Sequence, residues 1–262
     1  MEDPEWVLGL LVGHLRRFTA YGGTIGGARV LELGPGRSLG QLFFFHLLGA
    51  DRALGVDVRR YATEESGAGV YRSILEHLAD WVETGRFPIS VDAEEALARG
   101  REILPDGAGF PRLGDRLDYA ILRDRSLPLP SSSIDLAYSC SVLEHVSDPA
   151  SVYRELARVL REGGLMSHII DLRDHHRPEP LDFLRYSDRL WSLMQGRSAG
   201  FTNRLRASDH LRLIREAGFE VLEVEHRRAE SPPPPALLAR RFRAYDPEDL
   251  RTLVLTVTAR RP

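Results

Sequence analysis

The chain has 262 residues, 43% of them hydrophobic, and a net charge of −3. That length suits one large α/β domain, or one with an elaborated cap, and is enough to bury an ample core. No long block of one charge sign is present, which argues against a nucleic-acid tract, and every basic side chain is arginine, which excludes lysine-based chemistry.

Cys140 is the only cysteine, so no intramolecular disulfide forms and a reducing interior is the simpler home. The start, Met1-Glu2-Asp3-Pro4-Glu5, is acidic where a signal peptide is basic. No apolar run approaches membrane-spanning length. A soluble, cytoplasmic protein with no membrane insertion is expected.

Trp6, Val7, Leu10, Leu11, His14, Leu15 and Phe18 recur at helical spacing and predict an amphipathic helix within residues 1–20. A glycine-rich lead follows. Val30, Leu31 and Leu33 then form a short apolar strand that stops at Gly34-Pro35-Gly36, with a helix-like stretch from Leu39 to Leu48. Strand, glycine turn and helix in that order build a ligand cradle at the carboxyl end of a first strand. The glycines admit unusual φ/ψ and close approach of a ligand, and the helix start is expected to offer free N–H groups. Glu32 sits inside the turn motif. The dinucleotide fingerprint asks for a third glycine three residues after Gly36, where Leu39 stands. An acid with only two close glycines suits a ligand with an amino group and no pyrophosphate.

Leu54–Val58 reads as the second strand. Asp57, about 20 residues past the turn, is placed to accept from both hydroxyls of a ribose. A helix is expected over 71–82. Residues 85–115 are less regular, with room for a helix from Ala93 to Leu104. Leu117–Leu122 and Ile134–Ser139 read as strands three and four. Asp148-Pro149 looks like a cap and first helical position for a helix to about Leu160, which Gly163-Gly164 would end. Leu165–Ile170 reads as strand five. It opens onto an unusual cluster, His168-Ile169-Ile170-Asp171-Leu172-Arg173-Asp174-His175-His176. An insertion follows over 177–205, rich in aromatics and arginine (Phe183, Tyr186, Trp191, Phe201, Asn203, Arg204), and reads as a substrate cap or a packing subdomain. Ser208–Ala217 is predicted helical with Ser208 as cap and Gly218 as stop. Phe219–Val224, a proline run at 231–235, a short helix from Asp246 and a last strand over Leu253–Val257 complete the chain.

Three motifs in order carry a resemblance: Val30 to Gly36; Gly55-Val56-Asp57; and Leu127-Pro128-Leu129-Pro130 with Ile134-Asp135, running through Leu143-Glu144-His145-Val146. Together they resemble the class I S-adenosylmethionine-dependent methyltransferases, in their small-molecule branch, over residues 28 to 170. The resemblance implies a Rossmann-like, doubly wound seven-stranded sheet of order 3-2-1-4-5-7-6 with the last strand antiparallel. It also implies one domain over 1–262, with an N-terminal helical lid and a cap insertion at about 172–206. The implied cofactor is S-adenosyl-L-methionine, held by Glu32, Gly34, Pro35, Gly36, Asp57, Val58, Asp124 and Ser141. Asp124 stands one residue off the family's commonest spacing, where Arg123 holds the usual place.

Transfer to a hydroxyl needs a group to take its proton. His175 is the first choice, with His145 and His168 behind it and Asp171 or Asp174 to orient it; no metal is assigned, since no separate pair of ligating acids is evident. The expected partner is a small-molecule acceptor bearing a hydroxyl, such as a natural product, sugar or lipid-linked compound. No nucleic acid is expected, and a homodimer is compatible with the sequence. Two other readings stay open: a non-catalytic S-adenosylmethionine-binding regulatory or partner subunit, and a nicotinamide-dependent dehydrogenase, against which the missing third glycine and Pro35 argue.

Overall fold

The computed structural model describes residues 3–64, 69–105, 107–123, 126–195 and 201–262. Its strands β1 (Arg29–Leu33), β2 (Arg52–Asp57), β3 (Leu117–Ile121), β4 (Ile134–Cys140), β5 (Leu160–Asp171), β6 (Glu220–Arg228) and β7 (Thr252–Arg260) form one sheet of order β3-β2-β1-β4-β5-β7-β6. β1 runs parallel to β2 and β4, and β2 parallel to β3. Those strands are apolar on both faces, as parallel strands covered by helices must be. β7 runs against β5: Gly163 N–H donates to the Arg261 carbonyl and Arg261 N–H to that of Gly164 at one end, and Leu172 N–H meets Leu253 C=O at the other. The expected seven-stranded order and antiparallel last strand are both observed.

Contacts divide the chain into two compact units. The first comprises Met1–Cys140, Arg158–Ser167 and Arg260–Pro262. Its helix α1 (Pro4–Ala20) is capped by Asp3, whose carboxylate accepts from Glu5 N–H. The helix buries Val7, Leu8, Leu11, His14, Leu15 and Phe18, leaving Trp6 exposed. It packs on α2 (Gly40–Leu47), α3 (Val70–Glu83) and β4, where the His14 ring lies 4.9 Å from Tyr138 and Nδ1 meets Ser167 Oγ at 2.9 Å. Phe43, Phe44 and Phe45 on α2 are wholly buried. Within 85–115, α4 (Ala93–Ile103) is a true helix, capped by Asp92 and tied to α2 by Arg99, which donates to the Leu47 carbonyl at 3.0 Å.

One expectation about this unit is corrected. Gly163-Gly164 does not end a helix: β5 already begins at Leu160 and the pair lies inside it. Gly163 has φ +73°, and a Cβ on Gly164 would stand 2.8 Å from the Arg161 carbonyl, so a bend in the strand requires both glycines.

The second unit comprises Ser141–Ala157 and His168–Ala259. α5 (Pro149–Val159) starts where expected, with Asp148 Oδ1 accepting from Ser151 N–H at 3.2 Å. α6 (Asp188–Gln195), α7 (Ala207–Glu216) and α8 (Pro247–Leu250) follow. The core of the insertion joins Leu181, Phe183, Leu184 and Trp191 to Leu238, Phe242 and Leu250. Arg204 is buried in it, between the Trp191 and Phe242 rings, donating to the carbonyls of Phe183 and Tyr186 and to Asp188. Arg206 is also fully buried and donates to the carbonyls of Leu172, Leu250 and Thr252. It joins the end of β5 to the start of β7, and losing it would leave several buried carbonyls unpaired. α7 begins at Ala207, so Ser208 is not its cap. Asp209 instead accepts from Arg206 N–H, and the Ser208 hydroxyl donates to Asp249.

Candidate active site

In the first unit the sequence motifs converge on one turn. Leaving β1, Gly34 and Gly36 adopt φ of +63° and +70°, values that only glycine reaches cheaply. Gly34 N–H bonds the Val56 carbonyl and Leu122 N–H the Asp57 carbonyl, which levels the ends of three strands. Pro35 rests on Gly55, where a Cβ would stand 3.0 Å from the proline ring. The Asp57 carboxylate turns toward the glycine loop: Oδ2 accepts from Gly36 N–H at 3.4 Å and Oδ1 from Val58 N–H at 2.8 Å. The Arg59 backbone also bonds this carboxylate, and with about four lone-pair sites it keeps room for a further donor. Burial raises its pKa, and the backbone bonds oppose that rise. Val58 beside it is 67% exposed.

Glu32 is held differently. It stands opposite Tyr138 in the register of β1 and β4, and accepts from the Tyr138 hydroxyl at 2.9 Å and Gln41 Nε2 at 3.3 Å. The side chain is buried, which pushes its pKa up to about 8; the Tyr138 bond opposes the shift and the Asp57 charge adds to it. Both oxygens are therefore engaged beneath the turn. The helix start is also less open than expected. Leu39 N–H donates to the Tyr71 hydroxyl at 2.9 Å and Gly40 N–H to Ser38 Oγ at 3.0 Å, so these two are already satisfied. Asp124 lies outside the described residues. Ser141 belongs to the second unit, where its φ is +54° and its N–H meets the Ile169 carbonyl at 2.9 Å.

In the second unit the histidines separate into two environments. His168 is wholly buried, and burial together with the neighbouring His210 lowers its pKa to about 3. It is a core side chain whose burial disfavours the protonated form, and it lies away from solvent. His145 and His175 are exposed and lie together, ring centroids 5.0 Å apart. His145 is the last residue of a 3-10 turn, Leu143–His145. Its Nδ1 is 2.7 Å from the Phe201 carbonyl, which only accepts, so Nδ1 carries the proton and Nε2 keeps its lone pair. Burial lowers its pKa and that carbonyl opposes the change.

His175 Nε2 stands 3.6 Å from Asp171 Oδ2, and this pairing raises the histidine's pKa against the effect of burial. Burial acts to raise the Asp171 pKa, but bonds from Arg173 and His175 outweigh it and hold the carboxyl well below its usual range. Arg173 grips Asp171 with two guanidinium nitrogens and a backbone N–H. Asp171 is thus the acid paired with His175. Asp174 is not: it accepts from His176 N–H at 2.8 Å and shapes the turn.

Two members of this cluster were not singled out for roles from the sequence. Glu144 is 2% exposed, and no side chain among the described residues bonds its carboxylate; only the backbone N–H groups of Glu144 and Asp171 approach it. Burial pushes its pKa up to about 8, and Asp171 adds to the rise. Asn203 holds the turn: Nδ2 donates to the carbonyls of Leu143 and Val146 at 2.7 and 2.9 Å, and N–H to that of Glu144 at 2.8 Å. An acid inside the apolar Leu143–Val146 motif was the available signal for Glu144. Nothing local marked Asn203.

The comparisons with known proteins agree with this architecture. Residues 65–167 match the family described as "Methyltransferase domain", a match that begins after the glycine turn and Asp57. A segment of 109 residues is 32% identical to the O-methyltransferase resE of Aspergillus sclerotiorum, spanning 41% of this chain and 38% of that relative's length. An S-adenosylmethionine-dependent methyltransferase from Mesorhizobium loti shares the fold at 22% identity and a TM-score of 0.50, over 96% of this chain and all of that one. Geranyl diphosphate C-methyltransferase from Streptomyces coelicolor A3(2) does so at 14% identity and 0.54, over 98% and 79%. The strand order and the glycine turn are those the motif resemblance implies, and residues 65–167 carry the match to a methyltransferase domain.

Proposed function

We propose that the protein transfers a methyl group from S-adenosylmethionine to a hydroxyl of a small molecule. The observation that carries the cofactor half is the meeting of the Gly36 N–H with the Asp57 carboxylate, which brings the two nucleoside-binding motifs to one place. In this reading Asp57 takes the ribose hydroxyls and Gly34, Pro35 and Gly36 let the cofactor approach the backbone. Val58 offers an apolar surface to the base; the roles expected of Asp124 and Ser141 rest on the family resemblance alone. Glu32 supports the turn from below, its carboxyl held by Tyr138 and Gln41. The similarity to an O-methyltransferase over part of the chain supports oxygen as the methylated atom.

The methyl group on a sulfonium is already activated. Alignment with the attacking oxygen then supplies much of the rate, on the order of 7–11 kcal/mol at best. His175, oriented by Asp171, takes the hydroxyl proton, a contribution of roughly 10²–10⁴-fold. His145 shapes the same cluster and is the reserve base.

The test is a screen of hydroxylated metabolites for protection against thermal unfolding in the presence of S-adenosylhomocysteine, followed by methyl transfer with labelled cofactor. Label in an ether oxygen of the product supports the proposal. Label only on nitrogen or carbon, or cofactor binding with no transfer to any acceptor, overturns it; the second outcome favours a non-catalytic partner subunit.

A further inference from the structure

We propose that Glu144, His145 and His175 form a binding site for one divalent transition-metal ion. Their ligand atoms all lie within 4.8 Å of one another. Ligands around such an ion stand about 2.0–2.2 Å from it, hence roughly 3–3.5 Å apart, so rotations that move each atom by about 1 Å close the set.

Three independent features of the second unit point to a ligand. The first is the Glu144 carboxylate, almost fully buried, approached by the backbone N–H groups of Glu144 and Asp171 but joined by no side-chain hydrogen bond among the described residues. Burying a carboxylate is costly, and a cation between it and the two rings removes that cost. The second is the tautomer of His145. Its Nδ1–H is fixed on the Phe201 carbonyl, which aims the Nε2 lone pair inward, 4.0 Å from Glu144 Oε1. A ligating histidine is oriented in this way by a carbonyl behind it. The third is Asp171, whose Oδ2 is 3.6 Å from His175 Nε2 while Arg173 holds its other side. A carboxylate beside the ring supports a ligating histidine too. Asn203 completes the frame by fixing the turn that carries two of the three ligands.

Two imidazoles and one carboxylate suit zinc, iron(II) or manganese(II) rather than calcium or magnesium, which prefer oxygen alone. Three protein ligands leave coordination positions open, the arrangement of a site that takes an oxygen of a small molecule. Ion binding needs no methyl transfer, so it can be read apart from the proposed reaction. With the ion bound His175 is a ligand; without it, His175 is the base.

The probe is cobalt(II), whose visible absorption reports coordination by nitrogen and oxygen. The full chain, stripped with EDTA and dialysed, is titrated with cobalt and separately with S-adenosylmethionine. A break at one equivalent is expected, with affinity falling at least tenfold in Glu144→Gln, His145→Ala and His175→Ala and unchanged in His77→Ala. Wild-type protein that shows no one-equivalent break overturns the site, whether or not a variant folds, as do three folded variants that bind like wild type. A failed cobalt titration beside intact cofactor binding sinks the metal site alone; the reverse sinks the cofactor assignment alone.

Discussion

Two glutamates in this protein are buried to nearly the same degree and shifted to nearly the same pKa, yet they do opposite work. Glu32 in the first unit is 3% exposed and Glu144 in the second 2%, and burial raises each to about 8. Glu32 has a phenol and an amide to bond, both supplied by neighbours on β4 and α2. Glu144 has two histidines near it and no side-chain bond among the described residues, only backbone N–H groups approaching it. Burial alone therefore does not mark a functional acid. The partners separate them: side chains bond the Glu32 carboxyl, while the Glu144 carboxyl faces two histidine rings.

The largest effects should come from the second unit. His175→Ala is expected to slow methyl transfer by roughly 10²–10⁴-fold while leaving cofactor affinity unchanged in calorimetry. Equal turnover in the variant would remove His175 from the reaction. In the first unit, Asp57→Ala should weaken S-adenosylmethionine by on the order of 100-fold, the loss of charge-assisted hydrogen bonding to the ribose.

The comparison sharpens with pH. The raised pKa of Glu32 means that the folded state holds this proton more tightly than the unfolded chain does. Its contribution to stability is full below the unfolded value of 4.5 and declines as pH rises toward about 8. Glu32→Gln, neutral throughout, should flatten that part of the pH dependence in urea unfolding, by on the order of a few kcal/mol at most between pH 5 and 8. An unchanged slope would mean that Glu32 is ionised in the native protein. The smallest effect is expected for Asn203→Ala. Releasing the Leu143 and Val146 carbonyls should cost about 1–3 kcal/mol of stability and lower turnover along with it. A loss of stability with full activity would separate the turn from the site.

Much of this architecture was legible because it is written in local signals. The strand–glycine–helix order, the acid ending the second strand and the Asp148-Pro149 helix start are each set by a few neighbouring residues, and each is found where it was expected. One misreading has a physical cause. Gly163-Gly164 looks like a helix stop because a helix end and a bent strand both ask for glycine at positive φ, and only the pairing with residue 261 tells them apart. Phe183, Trp191 and Arg204 are a different case: the sequence leaves a substrate cap and a packing subdomain both open, because aromatics and arginine serve interiors and ligand sites alike, and in the structure these three pack on one another. Asn203 acts on residues some 60 positions earlier, a distance over which sequence pattern is silent.

The most direct measurement is an isothermal titration of wild-type protein and Asp57→Ala with S-adenosylmethionine, with a nicotinamide dinucleotide in parallel. Saturable heat with S-adenosylmethionine, sharply weakened by the substitution, and none with the dinucleotide is the expected result. Binding of the dinucleotide alone, or S-adenosylmethionine affinity that Asp57→Ala leaves untouched, would contradict the assignment of this turn as the cofactor cradle.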